Sequence, residues 1–186
     1  MSEFAKYDPE PRERRLMNGG NGPVIRPARA SDPGALAEMA AEREGEPVER
    51  WRGIFARILV ETESGTSLLL VATVREQILG YGKAAIFSPP EDAPANCAPQ
   101  GWYLTGVVVR PADRRRGVGV ALTQARLSFI AGMAPNVHYF ANARNRATIA
   151  LHRNLGFGEV TRDFWFPGVK FDDGIGILFR LDQSED

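Results

Sequence analysis

In the segment VVVRPADRRRGVGVAL, Val107–Leu122, an apolar strand runs into an arginine- and glycine-rich loop that opens a helix. That order builds an anion site. Gly117 and Gly119 withdraw side chains where backbone must approach a ligand, and the helix turns its first, unpartnered N–H groups toward whatever lies in the loop. A diphosphate fits such a loop. Other glycine loops demand residues that are not here. A Walker A loop needs Lys and Ser/Thr directly after its last glycine, whereas Val120 and Ala121 follow Gly119. A Rossmann fingerprint needs Gly or Ala where Leu122 stands and an acidic residue at the end of the next strand, where this chain has Ala141 and Asn142. A plain strand-to-helix turn with solvated arginines stays open as the alternative.

A second segment, NARNRATIALHRNLGF at Asn142–Phe157, has the grammar of a short helix. Asn145 reads as its N-cap, Ile149, Leu151 and Leu155 as its buried side, and Gly156 as its left-handed stop. Taken together, the two segments resemble the GNAT superfamily of acetyl-CoA-dependent N-acyltransferases. The family's pyrophosphate loop, Arg/Gln-x-x-Gly-x-Gly/Ala, is matched by Arg114, Gly117 and Gly119, and its apolar strand ending Val-x-Pro by Val109, Arg110 and Pro111. The family's Asn-x-x-Ala-x-x-Leu-Tyr-x-x-x-Gly-Phe falls on Asn145, Thr148, Leu151, His152, Gly156 and Phe157, with Thr148 in place of Ala and His152 in place of Tyr. The resemblance runs over Val24–Leu181, but only these two segments are specific.

The resemblance implies an α/β (α+β) fold, a mixed and mostly antiparallel central sheet of about seven strands flanked by about four helices. It implies acetyl-CoA as co-substrate and no metal, with Val107, Val108, Val109, Arg114, Arg115, Arg116, Gly117, Val118, Gly119, Val120, Ala121, Asn142, Asn145, Thr148 and His152 as its binding residues. Backbone N–H groups of Arg116–Ala121, with the helix dipole behind them, would neutralise the pyrophosphate. The side chains of Arg114, Arg115 and Arg116 either join them or stay in solvent. In the family the fourth and fifth strands splay, so that the pantetheine arm pairs like an added strand near Val107 and Val109; Gly106 would mark the bulge that permits it. The acetyl carbonyl would then lie against backbone N–H groups that stabilise an oxyanion.

Attack by an amine requires a neutral amine, hence a base or a water relay. Many relatives hold a Glu on the fourth strand, but WYLTGVVV, Trp102–Val109, contains no carboxylate. Tyr103 and Thr105 share a face and could hold a water, or they could simply be packed strand residues. His152, where the family places the Tyr that protonates the departing CoA thiolate, is the candidate general acid; the alternative is a residue that packs at the end of its helix. The expected reaction is acetyl transfer to a primary amine of a small molecule by direct attack in a ternary complex. A protein N-terminus or lysine as acceptor, and a catalytically degenerate acyl-CoA sensor, are the other readings.

Composition bounds these readings. At 186 residues, 44% of them hydrophobic, the chain can bury one sizeable core, expected to be a single domain over residues 23–186 behind a disordered tail of residues 1–22. The formal net charge is zero, so nothing pulls the protein toward nucleic acid or an anionic membrane. Without an apolar run of about 20 residues or an apolar signal core, a cytoplasmic location is expected. Self-association into a homodimer is left open. The lone cysteine, Cys97, and the two histidines, His138 and His152, make neither an internal disulfide nor a metal cluster.

The elements that must position the loop follow from punctuation and periodicity. A short strand reaches Ile25, and Asp32 and Pro33 cap a helix whose buried stripe is Leu36, Met39 and Ala40. Pro47 opens a second helix in which Val48, Trp51, Phe55, Ile58 and Leu59 keep a helical rhythm until Gly65. In the family such a pair forms one wall of the acceptor cleft. Leu68–Thr73 and Ile78–Phe87 read as a hairpin turning at Arg75 and Glu76, and Trp102–Arg110 as the next strand. The intervening Pro/Ala loop, Ser88–Gln100, would be a flexible flap carrying Glu91 and Asp92. A helix over Gly117–Met133 would bury Val118, Leu122, Ala125, Phe129 and Ile130. Strands at Val137–Ala141, Val160–Phe166 and Ile175–Leu181 close the sheet, leaving Pro167–Gly174 as a second acidic loop.

Overall fold

The computed structural model describes residues 22–171 and 174–183. The expected tail, residues 1–22, lies outside them but for Gly22, as do Asp172 and Asp173. The described elements are β1 (Val24–Pro27), α1 (Pro33–Glu44), α2 (Val48–Glu63), β2 (Ser67–Val74), β3 (Gln77–Phe87), β4 (Gly101–Val109), α3 (Val118–Ile130), β5 (Asn136–Asn142), α4 (Arg146–Arg153), β6 (Gly158–Thr161) and β7 (Gly176–Asp182). The strands form one seven-stranded sheet in the order β1-β2-β3-β4-β5-β7-β6. Antiparallel pairing joins β1 to β2, β2 to β3, β5 to β7 and β6 to β7, whereas β4 and β5 are parallel. This is the mixed, mostly antiparallel sheet with four helices that the sequence resemblance implies.

The described residues fall into two compact units, one through Ala85 with Leu104–Phe129, the other Ile86–Tyr103 with residues from Ile130 on. In the first, α1 and α2 cover strand residues through a core of Leu36, Ala37, Met39, Ala40, Phe55, Leu69, Val71, Ile78, Tyr81 and Val108. Each large side chain buried there is worth about 1.5–3 kcal/mol. Phe55, the centre of the α2 stripe, meets the Tyr81 ring edge-on at 5.1 Å. The β2–β3 hairpin turns through Arg75 (φ 47°) and Glu76 (φ 66°), two left-handed residues in succession whose twist matches the flanking strands.

Asp32 precedes α1 as expected but does not cap it. Its carboxylate takes the Arg26 guanidinium at 2.7 and 3.1 Å and the Arg29 N–H at 2.7 Å, which draws it away from the helix N–H groups. Burial raises the pKa of this carboxyl, but the bonds to Arg26 and Arg29 outweigh it and hold the carboxyl below its ordinary range.

Gly80 on β3 marks the tightest strand contact: a Cβ there would lie 2.6 Å from the Val108 carbonyl oxygen of β4. Backbone cannot yield as a side-chain tip can. Gly80→Ala is therefore expected to destabilise the fold by about 2 kcal/mol. Gly34→Ala, which meets nothing within 4 Å inside α1, should instead stabilise it by about 0.5 kcal/mol. Denaturation midpoints of the two variants check both signs.

In the second unit β5 pairs along its whole length with β7, from Asn136↔Asp182 to Asn142↔Gly176. The sixth strand is earlier and shorter than Val160–Phe166. The Thr161 hydroxyl donates to the Asp163 carbonyl and accepts the Asp163 N–H, a local turn that ends β6 at Thr161. Phe164 and Phe166 then leave the sheet for an aromatic cluster with Phe87, Tyr103 and Phe140. The Pro/Ala loop is not a free flap. Trp165 N–H donates to the Asn96 carbonyl, Ala98 N–H to the Trp165 carbonyl, and the Asn96 amide to Asp163, each within 2.9 Å.

Candidate functional site

After β4 the chain makes a 3-10 turn at Pro111–Asp113 and enters the arginine loop. Arg115 (φ 60°) and Gly117 (φ 80°) are both left-handed. The first α3 hydrogen bond runs from Ala121 N–H to the Gly117 carbonyl at 2.9 Å, so the N–H groups of Val118, Gly119 and Val120 have no partner within the helix. No acidic side chain stands in that first turn to compete for them. Val118 and Leu122 are buried and anchor the helix, and residues 114–117 are exposed.

Two of the three arginines turn back on the loop. Arg114 Nε donates to the Val109 carbonyl at 3.2 Å, and Arg116 pairs with Asp113 at 3.1 Å. They brace the loop from outside. Val107, Val108 and Val109 adjoin the loop in the same unit, Val108 buried in the α1–α2 core and the other two half-buried. Gly106 has φ 151°, a conformation that suits glycine at the expected bulge. Arg43 of α1 reaches this strand end, donating to the Val107 carbonyl at 3.4 Å.

The face of α3 is rotated from the expected one. Phe129 is 48% exposed, while Arg126, which sequence periodicity leaves in solvent, is fully buried. Its guanidinium donates to the Lys83 carbonyl at 2.7 Å, the Gly106 carbonyl at 3.0 Å, the Thr123 hydroxyl at 2.9 Å and the Leu122 carbonyl at 3.2 Å. Burial without a carboxylate pushes its pKa down to about 9, which leaves it charged at neutral pH. Gly82 makes room for it, because a Cβ at residue 82 would lie 2.8 Å from Arg126 Nε. Arg126 thereby clamps β3 to β4 at Gly106. Glycines at 82 and 106, inside otherwise apolar strands, are the sequence signal that could have shown a close approach there.

The remaining expected residues lie elsewhere in the chain. Thr105 is exposed. Tyr103 is buried in the aromatic cluster, stacked on His138 at 5.1 Å, and its hydroxyl donates to the Pro99 carbonyl at 2.7 Å. Burial raises its pKa far above the ordinary phenol value. Asn142, Asn145, Thr148 and His152 lie together in the second unit. Asn142 Oδ1 accepts the Arg144 N–H at 2.9 Å, and Asn145 caps α4 by accepting the Thr148 N–H at 3.3 Å. Gly156 (φ 94°) ends that helix as expected.

Its buried side is Ile149 and His152, not Leu151 or Leu155, which are half-buried. The His152 ring stacks on Tyr139 at 3.7 Å and meets Phe157 edge-on at 5.2 Å, and Tyr139 stacks in turn on Phe179. His152 Nδ1 lies 2.8 Å from the Thr148 carbonyl; a carbonyl only accepts, so Nδ1 carries a proton. Glu91 and Asp92 are exposed. Among the described residues no group of His, Cys, Asp and Glu is arranged to hold a metal, and no helix is long and apolar enough to cross a membrane.

A sequence model of the acetyltransferase (GNAT) family matches residues 30–157. None of the curated proteins matches this sequence at a significant level. Solved structures similar to this chain include a ribosomal-protein-alanine N-acetyltransferase from Brucella melitensis, 21% identical with a TM-score of 0.64, the match covering 86% of this chain and 99% of that one. The ribosomal-protein-S18-alanine N-acetyltransferase from Escherichia coli is 20% identical with a TM-score of 0.63, over 88% and 96% of the two chains. Arabidopsis thaliana NAA60, solved with a bisubstrate analogue, is 18% identical with a TM-score of 0.63, over 87% and 98%. At these identities the likeness is one of fold.

Proposed function

Because the chain belongs to the GNAT acetyltransferase family, whose members take the acetyl group from acetyl-CoA, we propose that it acetylates the primary amine of a small molecule by direct attack in a ternary complex. The observation that carries this reading is the loop: left-handed Arg115 and Gly117 followed by the open N–H groups of α3. That arrangement suits the diphosphate of CoA, because it meets negative charge with fixed backbone dipoles.

The thioester carbon is then attacked by a neutral amine. The C–N bond forms as negative charge gathers on the carbonyl oxygen, which is held by backbone N–H groups of β4 beyond the Gly106 bulge. Collapse breaks the C–S bond, the nitrogen gives up its proton to water, and His152 delivers a proton to the departing thiolate. The charged imidazole keeps its Nδ1–H on the Thr148 carbonyl and donates from Nε2. Asn142 and Asn145 hold α4 in register with β5, and Thr148 orients the His152 ring.

The test is acetyl transfer from acetyl-CoA to a panel of small amines, matched alcohols and peptides with free N-termini, read by mass spectrometry. Small amines are expected to be acetylated and the alcohols not. Transfer confined to peptides would replace the small-molecule reading, and acetyl-CoA binding without transfer to any acceptor would make the protein a sensor.

A further inference from the structure

The proposed transfer gives no part to the cation Lys83. Lys83 lies on β3 and is half-buried. Its Cε comes within 3.6 Å of the position a Cβ would take on Gly106, so its side chain passes over β4 at that residue. From α1, Arg43 reaches the next β4 residue, donating to the Val107 carbonyl at 3.4 Å and pairing with Glu44 at 3.2 Å. From α3, Arg126 binds the carbonyls of Lys83 and Gly106.

Arg43, Lys83 and Arg126 therefore approach β4 at Gly106 and Val107, with Glu44 paired to Arg43. Arg126 has its four acceptors and Glu44 is taken by Arg43. The Lys83 ammonium has no hydrogen bond or ion pair among the described residues. Burial first and Arg43 next depress its pKa, Glu44 opposes them, and Arg126 adds to the depression. A cation in such surroundings is costly until an anion joins it.

Resting on the N-acetyltransferase reading, we propose that Lys83, assisted by Arg43, binds a carboxylate of the acceptor, so that the substrate class is small amines bearing a carboxylate rather than polyamines. The position has a mechanistic use. An acceptor fixed by its carboxylate at the Gly106 bulge holds its amine beside the β4 backbone where the acetyl carbonyl is expected, and such positioning lowers the barrier to attack.

Matched substrates test this directly: glycine, β-alanine and 4-aminobutyrate against their amides, with spermidine as the polycation. Wild type is expected to favour at least one acid over its amide by about 30-fold in kcat/KM, the scale of one charged hydrogen bond. In Lys83→Met that ratio should collapse toward one, mainly through KM for the acid, and Lys83→Arg should restore part of it. The thermal shift with acetyl-CoA, measured on each variant, establishes that it is folded and still binds its co-substrate. Amides or spermidine used as well as the acids, or an acid preference that survives in Lys83→Met, would overturn the assignment of Lys83 while leaving N-acetyl transfer intact. Acetyl-CoA binding with no transfer to any amine would overturn the acceptor reading itself.

Discussion

Gly119→Glu is expected to abolish acetyl-CoA binding in a protein that still folds. Gly119 lies in the first turn of α3, where an acidic side chain complements the helix dipole, so the substitution should cost no helix stability. The same carboxylate, however, stands where the diphosphate must meet the N–H groups of Val118, Gly119 and Val120. Like charges brought together at an interface cost several kcal/mol, which predicts a loss of affinity of at least about 100-fold. For wild type, acetyl-CoA at about 100 times its dissociation constant should raise stability by about 2.7 kcal/mol. Gly119→Glu should unfold at the wild-type temperature without ligand and show almost no shift with it. A full shift in the variant would place the diphosphate elsewhere.

The second large effect is expected at His152. His152→Phe keeps an aromatic ring against Tyr139 and Phe157 and gives up the bond from Nδ1–H to the Thr148 carbonyl, worth about 1 kcal/mol. It removes the proton donor. Turnover should fall by about 100-fold with acetyl-CoA affinity little changed, as for a group that acts in the transition state. An imidazolium ordinarily gives up its charge near pH 6.5 and a phenol near pH 10. The pH profile of wild-type turnover should therefore be bell-shaped, since rising pH supplies neutral amine but removes the acid. His152→Tyr should keep much of the turnover and move the alkaline limb upward. Unchanged turnover and an unmoved limb in His152→Phe would make His152 a packing residue alone.

What could be read from the sequence was local. The hairpin at Arg75 and Glu76, the α2 stripe centred on Phe55, the Asn145 cap and the Gly156 stop all follow from nearest neighbours along the chain, and the structure has each of them. The strand, turn and helix of Val107–Leu122 were legible for the same reason, because they are contiguous in the chain. The structure exposes Phe129, expected on the buried face of α3, and buries Arg126, a residue type that hydrophobic periodicity assigns to solvent. Three backbone carbonyls and a hydroxyl from distant and near positions make burial of Arg126 tolerable, and their convergence is a tertiary property. Lys83 was missed on the same grounds. Val160–Phe166 has the composition of a strand, but the Thr161–Asp163 turn ends β6 and Phe164 and Phe166 pack in the cluster around Tyr103. Asp32 has the residue type of a cap, yet the Arg26 guanidinium competes more strongly for its carboxylate.

A crystal structure of the complex with acetyl-CoA tests the central claim most directly. Diphosphate oxygens are expected about 2.7–3.2 Å from backbone nitrogens within Arg116–Ala121, with the Arg114 and Arg116 side chains secondary to them. A complex in which the diphosphate lies elsewhere while those N–H groups face only water would contradict it.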